Sequence, residues 1–181
     1  MSERPGDDPT RIMLDIETLG LAPGAAILSI GACVFDTDGV GATFERSIDL
    51  ESCQDHGLAI DADTLQWWLD QDAAAQEQLT GGGDLAGALR ELTVWADGHE
   101  PAEWWANSPK FDMGHLEAAY DALGRMVPWE FDELRDVRTV QSLPGAVDIE
   151  HDGTEHDALD DAVHQAREVS ATLRALEGHD A

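Results

Sequence analysis

Three short stretches of this chain carry side chains that could do chemistry together. The first is Ile12-Met13-Leu14-Asp15-Ile16-Glu17. In an extended strand successive side chains alternate between faces, so Asp15 and Glu17 project from one face while Leu14 and Ile16 point to the other. Two carboxylates side by side on an otherwise apolar strand need compensation for their lost hydration, and a bound cation supplies it. The second stretch is Trp104-Trp105-Ala106-Asn107-Ser108-Pro109-Lys110-Phe111-Asp112, an aromatic strand turning into a helix with Asp112 at its start. The third is Glu155-His156-Asp157-Ala158-Leu159-Asp160-Asp161-Ala162, at the entrance of the last helix. His156 and Asp161 are five residues apart, about 140° around a helix, so they converge only if His156 lies in the loop before it. A histidine suits proton transfer near neutral pH. Each stretch also has a plain structural explanation: exposed acids at a strand end, an aspartate capping a helix, a histidine on an acidic helix start.

The elements that must position these residues are legible from periodicity. Arg11 to Phe35 reads as a hairpin with its turn at Gly20 to Gly24, and Ala42 to Ile48 as a third strand. Asp61 or Asp63 caps a helix bearing Leu65, Trp68 and Leu69, with helical character continuing from Gln71 to Leu79 until Gly81, Gly82 and Gly83 break it. Asp84 caps a helix with Leu85, Leu89, Leu92 and Trp95 at 3/4 spacing, and Trp104 to Ala106 follows as a strand. A helix from about Asp112 to Leu123 is closed by Gly124. Val127 to Gln141 reads as a helix with a short strand, and the last helix runs from about Asp157 to Leu176. A strand meander followed by alternating helices and strands predicts one α/β domain over residues 11–177, preceded by a flexible acidic tail over residues 1–10.

Composition narrows the setting. Ten Lys and Arg against 38 Asp and Glu give a net charge of −28, and Lys110 is the only lysine. Such a surface repels phosphates unless carboxylate-bound metal ions invert the local field or high salt screens it. The acidity and lysine poverty are similar to those of cytosolic proteins from salt-loving archaea or their viruses, although a high-GC bacterium or phage could also be lysine-poor. Met1 to Thr10 lack the basic start and apolar stretch of a secretory signal, so a cytoplasmic location is expected. No apolar run approaches the ~20 residues that cross a bilayer, so no membrane partner is expected. Cys33 and Cys53 form no C-x-x-C pair, which argues for reduced thiols and against zinc.

Taken together, D-x-E on the first strand, an aspartate opening a later helix after an aromatic strand, and H-x-A-x-x-D near the C-terminus resemble the DEDDh exonucleases, also called DnaQ-like or ribonuclease-T-like. The resemblance spans roughly Ile12 to Leu176. Ala26-Ile27-Leu28-Ser29-Ile30-Gly31-Ala32, Trp67-Trp68, Asn107 before Phe111-Asp112, and Arg138-Thr139 are similar to the small phage and bacterial exoribonucleases called exonuclease VIII-like. The family implies a ribonuclease-H-like fold, a central mixed five-stranded sheet with helices on both faces. It implies an enzyme cutting single-stranded RNA or DNA from the 3′ end and releasing nucleoside 5′-monophosphates. Asp15, Glu17, Asp112 and Asp161 would hold two metal ions, Mg²⁺ or Mn²⁺ by their oxygen-only donors, and His156 would be the general base. By the same resemblance Thr18 and Leu19 would meet the terminal nucleotide, while Trp68 and Phe111 are candidates for base stacking and Lys110 for a phosphate. Asp157 is expected to cap the last helix and Asp160 to lie on the surface. Relatives often form homodimers.

Three other readings compete. A glycosidase with paired acids about 5–9.5 Å apart leaves His156 and Asp161 without a role. A non-catalytic nucleic-acid-binding or replication-partner module would have been favoured by loss of Asp15, Glu17 or His156. An oligoribonuclease-type enzyme for very short oligonucleotides needs few phosphate contacts and suits an acidic surface.

Overall fold

The computed structural model describes residues 8–177. Residues 1–7 of the expected tail lie outside the described residues. From Asp8 onward the chain is anchored: its carboxylate accepts the Thr37 N–H at 2.6 Å and pairs with Arg11 at 2.8 Å, and the Thr10 carbonyl accepts from Ala102.

Strands β1 (Arg11–Thr18), β2 (Ile27–Asp36) and β3 (Gly39–Ser47) form the expected antiparallel meander. After helices α1 (Leu50–Asp55), α2 (Ala62–Leu69), α3 (Ala73–Glu77) and α4 (Leu85–Asp97), β4 (Glu103–Ala106) pairs parallel with β1. Helix α5 (Pro109–Ala122) leads to β5 (Leu134–Asp136), parallel to β4, then to α6 (Val137–Gln141) and α7 (Ala158–Glu177). The sheet order is β3-β2-β1-β4-β5, a mixed five-stranded sheet of the ribonuclease-H-like type.

The central strand has two buried faces, as its apolar sequence requires. Ile12, Leu14 and Ile16 enter a core shared with Leu89 and Leu92 of α4 and Leu116 of α5, whereas Met13 packs with Val137 of α6 and Ala162, Ala166 and Val169 of α7. Helices therefore cover both faces, and the two-residue period carries Asp15 and Glu17 onto the α7 side with Met13.

Several boundaries differ from expectation for local reasons. Helix α5 starts at Pro109, because proline fits the first helical position and Ser108 the cap, so Asp112 sits inside the first turn and is not the N-cap. Its end is as expected: Gly124, at φ +63°, donates to the Asp121 carbonyl and Arg125 to that of Tyr120. The helical stretch expected from Asp61 to Leu79 is two helices, because Asp72 caps a fresh turn with its carboxylate on the Ala75 N–H. Helix α1, capped by Asp49, was not anticipated. The stretch Val127 to Gln141 holds a 3₁₀ turn (Phe131–Glu133), β5 and α6.

One close approach governs where the last helix lies. Gly31 of β2 is the register partner of Asp15, and a Cβ at Gly31 would stand 2.1 Å from the Ala158 carbonyl carbon and 2.2 Å from the Leu159 nitrogen. Only a residue without a side chain lets the first turn of α7 cross the sheet beside Asp15. Gly31→Ala is expected to cost about 3 kcal/mol in denaturant unfolding, the upper end for overpacking, because backbone and not a flexible side chain must yield. Gly41→Ala, whose nearest contact would be 3.6 Å away, is expected to change stability by less than about 0.5 kcal/mol; equal effects at the two glycines would refute this account.

Candidate functional site

Three chain segments deliver carboxylates to one end of the sheet. Asp15 and Glu17 come from the end of β1, Asp112 from the first turn of α5, and Asp161 from the first turn of α7. Ligand oxygens of Asp15, Glu17 and Asp161 all lie within 4.8 Å of one another. Asp112 stands beside Asp15, 4 % exposed, and its Oδ2 accepts the Ser108 N–H at 3.4 Å. Gln165, one turn beyond Asp161 on α7, donates from Nε2 to Asp15 Oδ1 at 2.9 Å. These groups border a cleft of about 740 Å³ that runs on past Asn107, Phe111, Arg138 and Glu168.

Burial dominates the electrostatics. It pushes Asp15 well above the usual carboxylate range, reinforced by the charge of Asp112 and then by Glu17 and Asp161, against the opposing Gln165 amide. Glu17 is pushed up to about 8 by burial, Asp161, Asp112 and Asp157. Burial lifts Asp112 to about 7, although the backbone N–H groups of Ser108 and Ile16 and the charge of Arg138 oppose it. Asp161 is raised by burial despite a hydrogen bond from His151. Four mutually repelling carboxylates with few donors facing them fit hard divalent cations, which prefer oxygen ligands.

His156 lies in the loop before α7, at φ +63°, as convergence with Asp161 requires. Its imidazole packs edge-on to Trp67, ring centres 5.0 Å apart, and at 6.1 Å from Trp68. Its carbonyl accepts from Gln78 Nε2, and Gln78 Oε1 accepts from Ser29 of β2 at 3.1 Å, so the loop is tied to the sheet. Asp157 caps α7 through the N–H groups of Leu159 and Asp160. Asp160 holds the loop by accepting the Thr154 N–H at 2.7 Å.

Beside Glu17 lies a second hollow of about 620 Å³ with a largely apolar wall. Here the residue assignments change. Leu19 was expected to touch a ligand, but it is fully buried, its N–H bonded to Ala26 and its carbonyl to Asp61, because the chain turns inward after β1. The leucine exposed at this wall is Leu21, at 81 %. Trp68 also lines the hollow but is only 1 % exposed, with its indole N–H on the Thr18 carbonyl, while its neighbour Trp67 is 43 % exposed and offers the larger surface there. Thr18 contributes to the wall, its hydroxyl turned to the Gly20 carbonyl. Phe111 is half-buried and stands between hollow and cleft, and Lys110 is exposed on an adjoining groove. Sequence reasoning missed Leu21, Trp67 and His151. The tandem tryptophans were a usable signal, since adjacent residues of a helix point in different directions and are not buried equally.

Residues 10–173 match the family model described as the 3′-5′ exoribonuclease Rv2179c-like domain. No curated protein matches the sequence. Among solved structures, the nuclease domain of 3′hExo, a DEDDh family member bound to rAMP, superposes at TM-score 0.65 with 14 % identity, over 93 % of this chain and 94 % of that one. S. pombe Pop2p in its Mg²⁺- and Mn²⁺-bound form gives 0.61 at 15 % identity, covering 88 % and 81 %. Cell-death related nuclease 4 gives 0.53 at 14 %, covering 92 % and 64 %. At such identities the likeness is one of fold.

The raised carboxylates make a pH prediction. A folded-state pKa above the unfolded value means that the folded protein binds the proton more tightly, so its contribution to stability is present below the unfolded pKa and is lost as pH rises through the folded one. For Glu17 the window runs from its ordinary 4.5 to about 8. In molar salt with chelator, Glu17→Gln is expected to gain stability over the parent progressively across that window in denaturant titrations. A stability difference independent of pH would show that Glu17 is not perturbed.

Proposed function

The chain belongs to the Rv2179c-like 3′-5′ exoribonuclease family, and from that premise we propose that it shortens single-stranded RNA from the 3′ end and releases nucleoside 5′-monophosphates. The observation that carries this reading is the meeting of Asp15, Glu17 and Asp161 oxygens within 4.8 Å, beside Asp112. These four residues would hold two Mg²⁺ or Mn²⁺ ions. Such a pair, when bound, activates the attacking water and stabilises the leaving oxygen of an in-line displacement. His156, close enough for its charge to be felt by Asp161, takes the proton from that water.

The terminal base occupies the hollow beside Glu17. There it stacks on the exposed part of Trp67 with Leu21 and Phe111 at its sides, a contact worth about 1–3 kcal/mol. Arg138 in the cleft and Lys110 at its rim have no ion-pair partner among the described residues, which leaves both available for phosphates. With so few cations, binding leans on metal, stacking and a salt-loving cytoplasm where repulsion is screened within ~3 Å at molar ionic strength. Asn107, Arg138-Thr139 and Trp67-Trp68 support a place near the exonuclease VIII-like branch.

The test uses matched 5′-labelled RNA and DNA strands, and dinucleotides, in low and molar salt with Mn²⁺, Mg²⁺ or chelator. A metal-dependent ladder shortening from the 3′ end, strongest on RNA and persisting in molar salt, is expected. His156→Ala should lower kcat by about 10²–10⁴-fold, and Asp15→Ala should abolish turnover. A folded protein that cuts nothing in any condition would leave a binding module, and cleavage of dinucleotides alone would mark an oligoribonuclease-type enzyme. Trp67→Ala should raise KM by about 5–150-fold, corresponding to the loss of one stacked base; an unchanged KM would remove Trp67 from the base pocket.

A further inference from the structure

We propose that His151 is a positioning residue for the cleavage site, holding Asp161 in the orientation that serves a metal ion. The inference rests on reading Asp161 as a cation ligand. Three of the four carboxylates have an identifiable orienting partner: Gln165 for Asp15, backbone N–H groups for Asp112, and His151 for Asp161, Nε2 to Oδ1 at 2.9 Å. Asp161 needs its partner most. It is only partly buried, with its side chain 25 % exposed, and it repels Glu17 across the cluster. Unrestrained, the carboxylate gains hydration and relieves repulsion by turning outward. A donor on one oxygen holds the group in place and leaves the other oxygen for a cation.

His151 is itself braced. Its ring packs edge-on against His164 of α7 at 4.6 Å, and the His164 Nε2 lies 3.7 Å from Glu168 Oε1. Glu168 also accepts from Gln141 of α6 and from the Ile149 N–H. Residues 147–154 are stitched to the helix by Val147 on Thr172, Asp152 on Arg167 and Thr154 on Asp160. The same loop carries His156 five residues later. One loop thus delivers two histidines with separate tasks: His156 toward the reacting water and His151 onto a ligand, without touching substrate.

The test compares His151→Phe, which keeps the ring against His164 and removes the donor, with His151→Gln, which restores a donor near the Nε2 position. Mn²⁺ affinity is read from the free-ion electron paramagnetic resonance signal, with Asp161→Asn as control and metal-free thermal unfolding confirming that each variant folds. Mn²⁺ affinity about 10–100-fold weaker in His151→Phe is expected, with recovery in His151→Gln and a cleavage deficit that narrows as Mn²⁺ is raised. Equal affinity in the wild type and His151→Phe, with Asp161→Asn weakened, would overturn the positioning role alone. Absence of Mn²⁺ binding by the wild-type chain would overturn it together with the ligand reading of Asp161.

Discussion

The mutual repulsion of four carboxylates gathered at one end of a buried strand is the interaction on which the rest of this structure depends. Asp15, at the edge of the cleft between sheet and helix, has Asp112, Glu17 and Asp161 as its electrostatic neighbours and only the Gln165 amide as a neutral donor. A fold optimised for stability alone would place apolar groups or a paired arginine there. Here the charges are kept, and the proton or cation that must accompany them becomes part of the folded state. Burial raises the cost of an empty site and so strengthens the demand for a divalent ion.

Everything around that cluster serves to bring three remote chain segments within reach of one another. The strand period aims Asp15 and Glu17 away from the core built by Ile12, Leu14 and Ile16. Gly31, directly across the ladder from Asp15, gives up its side chain so that α7 can begin over the sheet. Once the helix starts there, its spacing of four places Asp161 and Gln165 on the same side, one a candidate ligand and the other a prop for Asp15. The loop before α7 is held by Gln78 and Ser29 on one side and by residues of α7 on the other, which fixes both histidines it carries.

The surface poses the opposite problem, for an acidic protein whose family degrades a polyanion has to spend its few cations carefully. Arg11, Arg46, Arg135 and Arg167 are committed to carboxylates. Arg138 and Lys110, near the cleft, are not among those pairs. A hollow walled by Trp67, Leu21 and Phe111 adds an attraction that neither sign of charge affects.

Much of this was legible beforehand because it is local. Alternation placed Asp15 and Glu17 on one face; Asp84, Asp157 and Gly124 announced helix ends; five-residue spacing required His156 to sit in a loop. Local patterns misled where two of them competed. Asp112 looked like a cap until Pro109 and Ser108 claimed the helix start, and Gln71 to Leu79 looked continuous until Asp72 opened a new turn. Cys53 stands among polar residues in Glu51-Ser52-Cys53-Gln54-Asp55, yet α1 turns it inward and buries it. What the sequence by itself determined was the set of acids, the histidine and the elements bearing them, since those follow from side-chain type and period. Which leucine faces the hollow, how far each tryptophan is exposed there, and that His151 reaches Asp161, only the tertiary structure decided. Leu19 and Leu21, or Trp67 and Trp68, are alike in kind, and their burial depends on how the end of β1 and the turn after it pack against α2, as in the bond from Trp68 to the Thr18 carbonyl across 50 residues of sequence, which no local pattern encodes.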